Sequence, residues 1–134
     1  MENLVLYILM RTDLDSMNPG KGMAQASHAY GALKKAMRVN LPMQQHFLSW
    51  MSQTDQEFGT TLVLGGSEGE INFALAQCKR WLVRKEVVSG WVHDPTYPIR
   101  DGKVTHLMPM NTCAFIFGNQ EDIKHVTRHL NLHD

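Results

Sequence analysis

The sequence contains an unbroken apolar run at positions 4–10, Leu-Val-Leu-Tyr-Ile-Leu-Met. A strand with one solvent-exposed face alternates apolar and polar residues, whereas a strand covered on both faces is apolar throughout. The run is also far shorter than the roughly 20 residues that a helix needs to span a membrane. We therefore predict a strand at 4–10 that belongs to a sheet covered on both faces.

Helical and extended patterns alternate along the rest of the chain. A polar loop at 12–19 precedes an alanine-rich stretch in which apolar residues recur every three or four positions, as in an amphipathic helix. In chain order we predict helices at about 20–38, at 42–58, at 68–84 after a cap at Ser67, and from 120, with strands at 4–10, 60–64, 87–93 and 112–117. The first helix is predicted to bury Met23, Ala26, Tyr30, Leu33 and Met37.

The predicted element order is β-α-α-β-α-β-β-α. Helices separate the first three strands, which makes them parallel, whereas a loop at 94–111 joins the third strand to the fourth and favours an antiparallel pair. The predicted fold is a single α/β domain over residues 1–134, a three-layer α/β/α arrangement with a mixed four-stranded sheet in which strand four is antiparallel to the rest. Ligands bind such sheets beyond the carboxyl ends of the parallel strands, so residues 11–22 and those from 94 onward are expected to form one site.

Composition limits the classes of function. The chain has 13 basic and 13 acidic residues, which argues against nucleic-acid binding through a field over the whole protein and leaves only a local basic patch. Two distant cysteines, Cys78 and Cys113, predict neither a disulfide framework nor a zinc ribbon. The first residues lack the features of a secretory signal, and no apolar segment is long enough for a membrane span, so a cytoplasmic protein is expected.

Three polar residues, Lys21, Gln25 and His28, share one face in the first two turns of the first predicted helix. A lysine near a helix N-terminus, where free N–H groups already attract anions, is suited to hold a phosphate or a developing oxyanion. The alternative is an exposed polar face without a function. The glycines on both sides of Lys21 do not make a nucleotide-binding P-loop, because Asp15 stands where that loop needs a glycine.

Histidines 125, 129 and 133 share one face of the last predicted helix at metal-ligand spacing. The glutamate base of a zinc-hydrolase motif is missing from them, so no metal is predicted and a solvated helix end is the favoured interpretation. Cys113 lies among apolar residues, which indicates a buried strand rather than a nucleophile.

Two basic clusters lie near the carboxyl ends of predicted helices. Their positive charge either compensates the negative end of the helix dipole or contacts RNA. The clusters are Lys34, Lys35 and Arg38, and Lys79, Arg80, Arg84 and Lys85.

Several motifs resemble the second class of peptidyl-tRNA hydrolases, the archaeal and eukaryotic type. They are residues 11–14 (RTDL), 20–29 (GKGMAQASHA), 112–118 (TCAFIFG) and 123–132 (IKHVTRHLNL). The resemblance covers nearly the whole chain, and the motif at 20–29 is its most specific part. It implies hydrolysis of the ester that joins a peptide to the 3′ ribose of tRNA, without a metal or another cofactor, and makes a homodimer plausible.

The resemblance also implies roles for individual residues. It assigns catalysis to Lys21, to an aspartate at the end of the third strand and to a threonine after it, which Asp94 and Thr105 match. Residues 94–98 depart from the family pattern and a short insertion follows, so alignment from strand four offers Asp101 as the aspartate instead. An alternative is a catalytically silent module that binds a tRNA end or a protein. The residues assigned to substrate binding or to support of the site are Arg11, Asp13, Gly20, Gln25 and His28.

Overall fold

The structure is a computed structural model and describes residues 3–82 and 85–133. Arg84, predicted to lie in the last turn of the third helix, falls outside the described residues. None of the described helices is long and apolar enough to cross a membrane. The elements in chain order are β1 (Leu4–Arg11), α1 (Pro19–Met37), α2 (Leu41–Ser52), β2 (Thr61–Gly66), α3 (Glu68–Trp81), β3 (Val88–Asp101), β4 (Val104–Asn119), α4 (Gln120–Thr127) and β5 (Asn131–Leu132).

The strands of the described chain form one five-stranded sheet in the order β3-β4-β1-β2-β5. β1 is parallel to β2 and antiparallel to β4, while β3 is antiparallel to β4 and β5 is antiparallel to β2. The prediction of a mixed sheet in which β4 runs against β1, β2 and β3 is confirmed, but the predicted number of four strands is wrong. β5 has two residues, which pair with Leu64 and Gly65 and are too few to give a sequence pattern.

β1 contributes alternate residues to two hydrophobic clusters. The even-numbered residues from 4 to 10 pack with α1 and α2 side chains such as Leu33 and Trp50, and the odd-numbered residues from 5 to 9 pack with α3 and α4 side chains such as Ile71 and Ile123. Every residue from 4 to 10 is buried, which confirms that the strand is covered on both faces. The three-layer arrangement stays a prediction, which this alternation favours.

The buried face of α1 differs from the predicted one at both of its margins. Leu33 and Met37 are buried as predicted, but the other two buried residues of the helix are Gln25 and Ala29. The prediction for Met23 is wrong, because its side chain is 70% exposed. Met23 lies roughly 100° around the helix from the centre of the buried stripe and borders an open cleft.

α2 ends at Ser52, whereas the sequence predicts a helix to about residue 58. The hydroxyl of Thr54 accepts hydrogen bonds from the backbone N–H groups of Phe58 and Gly59, at 3.1 and 3.2 Å, and holds the chain in a turn. Gly59 has a φ of +69°, and a Cβ at this position would lie only 2.2 Å from the ring of the fully buried Trp50. The turn therefore depends on a glycine that touches the core.

The predicted loop at 94–111 is wrong, because β3 and β4 continue through it as a hairpin. The two strands pair as far as Asp101 and Val104, with register shifts beside His93 and between Asp94 and Tyr97. An Asp-Gly pair between extended segments is a hairpin signal, but the prolines at 95, 98 and 109 obscure it. The first proline lies within a register shift, where a ladder hydrogen bond is not required. We call residues 94–111 the distal hairpin.

The predicted histidine face on the last helix is also wrong. α4 ends at Thr127, so only His125 lies on it, because the chain then turns back to pair β5 with β2. His129 contacts the ring of Phe73, and the backbone N–H of His133 donates to the carbonyl of Val63 at 2.8 Å. Among residues 3–82 and 85–133, no group of three His, Cys, Asp or Glu side chains could hold a metal ion.

Alanine substitutions at two glycines with positive φ can distinguish the free-energy cost of backbone strain from that of a steric clash. Gly59→Ala should cost more stability than Gly102→Ala, although their φ values of +69° and +61° are similar. An added Cβ at Gly102 meets no described atom within 4 Å, so only the left-handed strain of about 1–2 kcal/mol applies there. At Gly59 the clash with Trp50 adds about 1–3 kcal/mol of overpacking. Urea unfolding of both variants measures the difference, and equal losses would contradict the clash.

Candidate active site

Lys21 lies in the first turn of α1, which begins where the sequence predicts. The side chain of Asn18 caps the helix by accepting a hydrogen bond from the backbone N–H of Lys21 at 2.8 Å, and Pro19 occupies the first turn. The ammonium of Lys21 donates to the carbonyl of Ser16 at 3.0 Å and to the carbonyl of Pro98 at 2.8 Å. These bonds use two of its three donors, so one N–H can still meet a ligand.

Tyr97 attaches the distal hairpin to the loop before α1. Its side chain is fully buried, and its hydroxyl accepts a hydrogen bond from the Ser16 hydroxyl at 3.2 Å and lies 3.8 Å from the sulfur of Met17. The ring of Tyr97 also lies beneath the Lys21 ammonium, with 5.2 Å between the nitrogen and the ring centroid. The hairpin thus brings the Pro98 carbonyl against Lys21.

Gln25 is only 2% exposed, so the alternative of an exposed polar face is wrong at this residue. Its amide nitrogen donates to a carboxylate oxygen of Asp94 at 2.8 Å, and its amide oxygen accepts from the hydroxyl of Thr112 at 2.5 Å. Both ends of the buried amide are therefore satisfied, as buried polar groups require. One side chain joins α1 to β3 and to β4.

Asp94 accepts hydrogen bonds from three sides. One oxygen accepts from Gln25, and the other accepts from the backbone N–H and the hydroxyl of Thr96, at 2.8 and 3.1 Å. The ring of His28, half exposed, lies 4.0 Å from the first oxygen. Burial opposes the charge on Asp94, but the hydrogen bonds from Gln25 and Thr96, with the charge of His28, outweigh it and lower the pKa of the carboxyl.

Lys21 lies on the face of α1 that Asp94 contacts, about one turn before Gln25, the residue that binds Asp94. Gln25 follows Lys21 by four residues, which is a rise of about 6 Å along the helix axis. β3 crosses this face with Asp94 beside Gln25 and with Pro98 beside Lys21. The helix face and the strand together bring an ammonium and a carboxylate to one side of the molecule.

The structure does not bring Thr105 or Asp101 to this position. Thr105 is exposed and pairs with Arg100, five positions along β4 from Met110, the partner of Asp94, and five positions correspond to about 17 Å. Asp101 lies at the hairpin turn, where its side chain is 84% exposed and 3.8 Å from His106. Of the two rival aspartates, Asp94 is the one that contacts α1.

Two threonines to which the sequence interpretation gave no role support Asp94, one directly and one through Gln25. Thr96 binds the carboxylate directly, in the two-residue spacing by which an aspartate commonly caps its own loop. Thr112 reaches it through Gln25 and is fully buried. Thr96 could have been found from the Asp-Pro-Thr sequence, whereas Thr112 begins the motif at 112–118, which does not reveal its contact with Gln25.

Arg11 and Asp13, which the sequence interpretation assigns to substrate binding or to support of the site, form an ion pair. The guanidinium of Arg11 donates to both carboxylate oxygens at 2.8 and 3.2 Å, and it also donates to Glu68 and to the carbonyl of Asn111. The hydrogen bond with Asp13 raises the pKa of Arg11, and the same bond lowers the pKa of Asp13. The pair connects the end of β1 to α3 and β4, so its role in the structure is to hold these elements together.

Gly20 and Cys113 have no visible part in the chemistry. A Cβ on Gly20 would meet only the side-chain oxygen of Asn18 at 3.5 Å, an ordinary contact, so the fold does not demand glycine there. Cys113 is fully buried, and its burial raises the pKa of the thiol to about 12. A thiol that stays protonated at neutral pH is not an active nucleophile.

The basic residues of the first cluster, Lys34, Lys35 and Arg38, are exposed at the carboxyl end of α1. In the second cluster, Arg80 lies over the ring of Trp81 at 4.8 Å, and Lys85 lies 3.9 Å from Asp122. Only the first cluster shares a helix with Lys21.

Gln25→Leu should raise the pKa of Asp94 and destabilise the fold. The folded-state pKa of Asp94 lies below its unfolded-state value, so its charge stabilises the fold above about pH 4, and this contribution is lost as the pH falls through the folded-state pKa. The variant also leaves the Thr112 hydroxyl without its acceptor, at a cost of about 1–3 kcal/mol.

NMR titration of the Asp94 carboxyl and urea unfolding at neutral and acid pH measure both effects. The matched control is Gln44→Leu, which removes a side-chain hydrogen bond to the carbonyl of Met37 on the other end of α1. An unchanged pKa of Asp94 in Gln25→Leu would show that the hydrogen bond from the Gln25 amide does not stabilise the charged carboxylate.

The family comparison agrees with the motifs of the sequence. A family model described as Peptidyl-tRNA hydrolase PTH2 matches residues 4–133, essentially the whole chain, which includes Lys21, Gln25 and Asp94. No curated protein gives a significant match. The chain therefore belongs to the PTH2 family of peptidyl-tRNA hydrolases.

Proposed function

We propose that the chain hydrolyses the ester bond of peptidyl-tRNA, or of a related N-blocked aminoacyl-tRNA, and releases free tRNA. The observation that carries this proposal is the hydrogen bond from Gln25 to Asp94, which holds a carboxylate against the residue that follows Lys21 by one turn on the same helix. Family membership supports the reaction class. A cytoplasmic location and a homodimer belong to the same expectation and remain predictions.

Asp94 would orient the attacking water. Its two oxygens accept three hydrogen bonds, and a carboxylate has about four acceptor positions, so one remains for water. Because its pKa is low, Asp94 is charged at neutral pH and is a weak base before attack begins. We infer that it takes a proton from the water only as the water oxygen bonds to the carbonyl carbon.

Lys21 would stabilise the charge that this attack creates. As the bond forms, the electron pair of the carbonyl moves to its oxygen, and an ammonium donor facing that oxygen lowers the barrier. When the tetrahedral intermediate collapses, the bond to the ribose oxygen breaks and that oxygen takes the proton from Asp94. Thr96 would keep Asp94 in position directly, and Thr112 would do so through Gln25. We therefore propose that these two threonines, and not Thr105, support the carboxylate.

The tRNA would follow α1 away from the reaction site. Exposed cations at the far end of this helix lie about 20 Å from Lys21 along the helix axis and are candidates for contacts with phosphates. They are Lys34, Lys35 and Arg38.

A silent module that binds tRNA without cleaving it is the second candidate. One observation favours it: the protein itself already uses most hydrogen-bonding positions of the site, since Lys21 donates to two carbonyls and Asp94 accepts three hydrogen bonds. Incubation of the purified protein with N-acetyl-aminoacyl-tRNA, followed by separation of free from esterified tRNA, distinguishes the candidates. Binding without release would favour the module.

Lys21→Ala should lower kcat by about a hundredfold or more, because loss of one oxyanion donor costs about 3 kcal/mol of transition-state stabilisation. Lys79→Ala on the exposed face of α3 is the matched control and should keep wild-type turnover. The melting temperature of Lys21→Ala shows whether loss of the bonds to Ser16 and Pro98 unfolds the site. Near-wild-type kcat in a folded variant would remove Lys21 from the mechanism.

Asp94→Asn should reduce kcat far more than Asp101→Asn. The first change removes a carboxylate that Gln25 and Thr96 hold in place, whereas the other alters an exposed turn. Single-turnover hydrolysis of one blocked aminoacyl-tRNA by both variants measures the ranking, with tRNA binding recorded separately. The reverse ranking would mean that the site lies at the tip of the distal hairpin.

A further inference from the structure

A cleft of about 590 Å³ opens on the flank of α1 away from the Lys21 side chain. Met10 lines it near the carboxyl end of β1, Val63 lines it from the middle of β2, Leu14 and Met17 line it from the loop before α1, and Ala26 lines it from the helix. Ala26 lies about 140° around the helix from Lys21. We call this space the apolar cleft.

The apolar cleft has the properties of a ligand site. Its volume falls in the range of about 300–1,000 Å³ that is usual for small-molecule sites, and it lies at the carboxyl end of β1, which is parallel to β2, and open sheets bind ligands at such strand ends. Met23 at its border is 70% exposed although it is a large apolar residue. An apolar ligand in the cleft would cover this side chain.

The loop before α1 is a wall shared by the cleft and the Lys21 site. The carbonyl of Ser16 accepts a hydrogen bond from the Lys21 ammonium, and the next residue, Met17, lines the cleft. Asn18 also lines the cleft and caps the helix at the backbone of Lys21. The two sites therefore share one short loop, and the peptide of an ester beside Lys21 would have to pass over this loop to reach the cleft.

We propose that the apolar cleft binds an apolar side chain of the peptide that is esterified to tRNA. This inference rests on the proposed function and adds a subsite to it. Three of the lining residues, Met10, Met17 and Met23, are methionines, whose flexible thioether side chains adapt to ligands of different shape. Arg11 and His133 also line the cleft, but the methionines give it an adaptable apolar surface that should bind large apolar side chains better than small ones.

The test compares two esters on the same tRNA, N-acetyl-phenylalanyl and N-acetyl-glycyl, by the ratio of their kcat/KM values. Ala26→Leu narrows the cleft and should lower the phenylalanyl-to-glycyl ratio about tenfold, since one methylene group more or less in an apolar pocket changes specificity by about 10- to 200-fold. The matched control is Ala24→Leu, two residues away on the exposed face of α1, which should leave the ratio unchanged. The intrinsic reactivities of the esters cancel, because they are the same for every variant.

A further variant covers the case in which Ala26→Leu disturbs the core, which Ala26 touches. Met23→Gln changes only an exposed side chain and should lower the same ratio through a higher KM for the phenylalanyl ester, whereas Met23→Leu should keep it. Unchanged ratios in both Ala26→Leu and Met23→Gln would overturn the subsite while leaving the proposed function intact. Release of neither ester by the wild-type protein would overturn both proposals.

Discussion

The amide of Gln25 is the contact on which the geometry of the site depends. It is buried, and it gives its donor to Asp94 on β3 and its acceptor to Thr112 on β4. A buried amide with an unmatched end would cost about 1–3 kcal/mol, so the three elements are favoured only in the arrangement that satisfies both ends. Gln25, which positions Asp94, lies one turn after Lys21 on the same face of α1.

The distal hairpin provides the other constraint. Its departure from the family pattern is ordered structure rather than a loose loop, because Tyr97 is fully buried against Ser16 and Met17. The carbonyl of Pro98, one residue later, then reaches Lys21. Register shifts on both sides of Asp94 let the strand change direction at the point where the carboxylate meets α1.

Sequence patterns predict those parts of the fold that local physics determines. The apolar run of β1, the cap of α3 at Ser67 and the antiparallel direction of β4 all follow from burial, capping and connection rules. The distal hairpin, β5 and the end of α4 depend on pairing between distant residues, which no local pattern reports. Gln25 shows the same limit within the site, because an amide in a polar helix face is expected to be exposed until its partners on β3 and β4 are known.

The hydrogen-bond partners of Arg11 and Lys21 distinguish a structural cation from one that can act on a substrate. Arg11 is neutralised, since Asp13 and Glu68 surround its guanidinium and the hydrogen bond to Asp13 raises its pKa. Lys21 donates instead to the carbonyls of Ser16 and Pro98, which orient the ammonium but carry no net charge to cancel it. A preorganised and uncompensated positive charge acts on whatever anion approaches the remaining N–H. This difference in partners, more than the type of residue, supports the proposed role of Lys21 as an oxyanion donor and a structural role for Arg11.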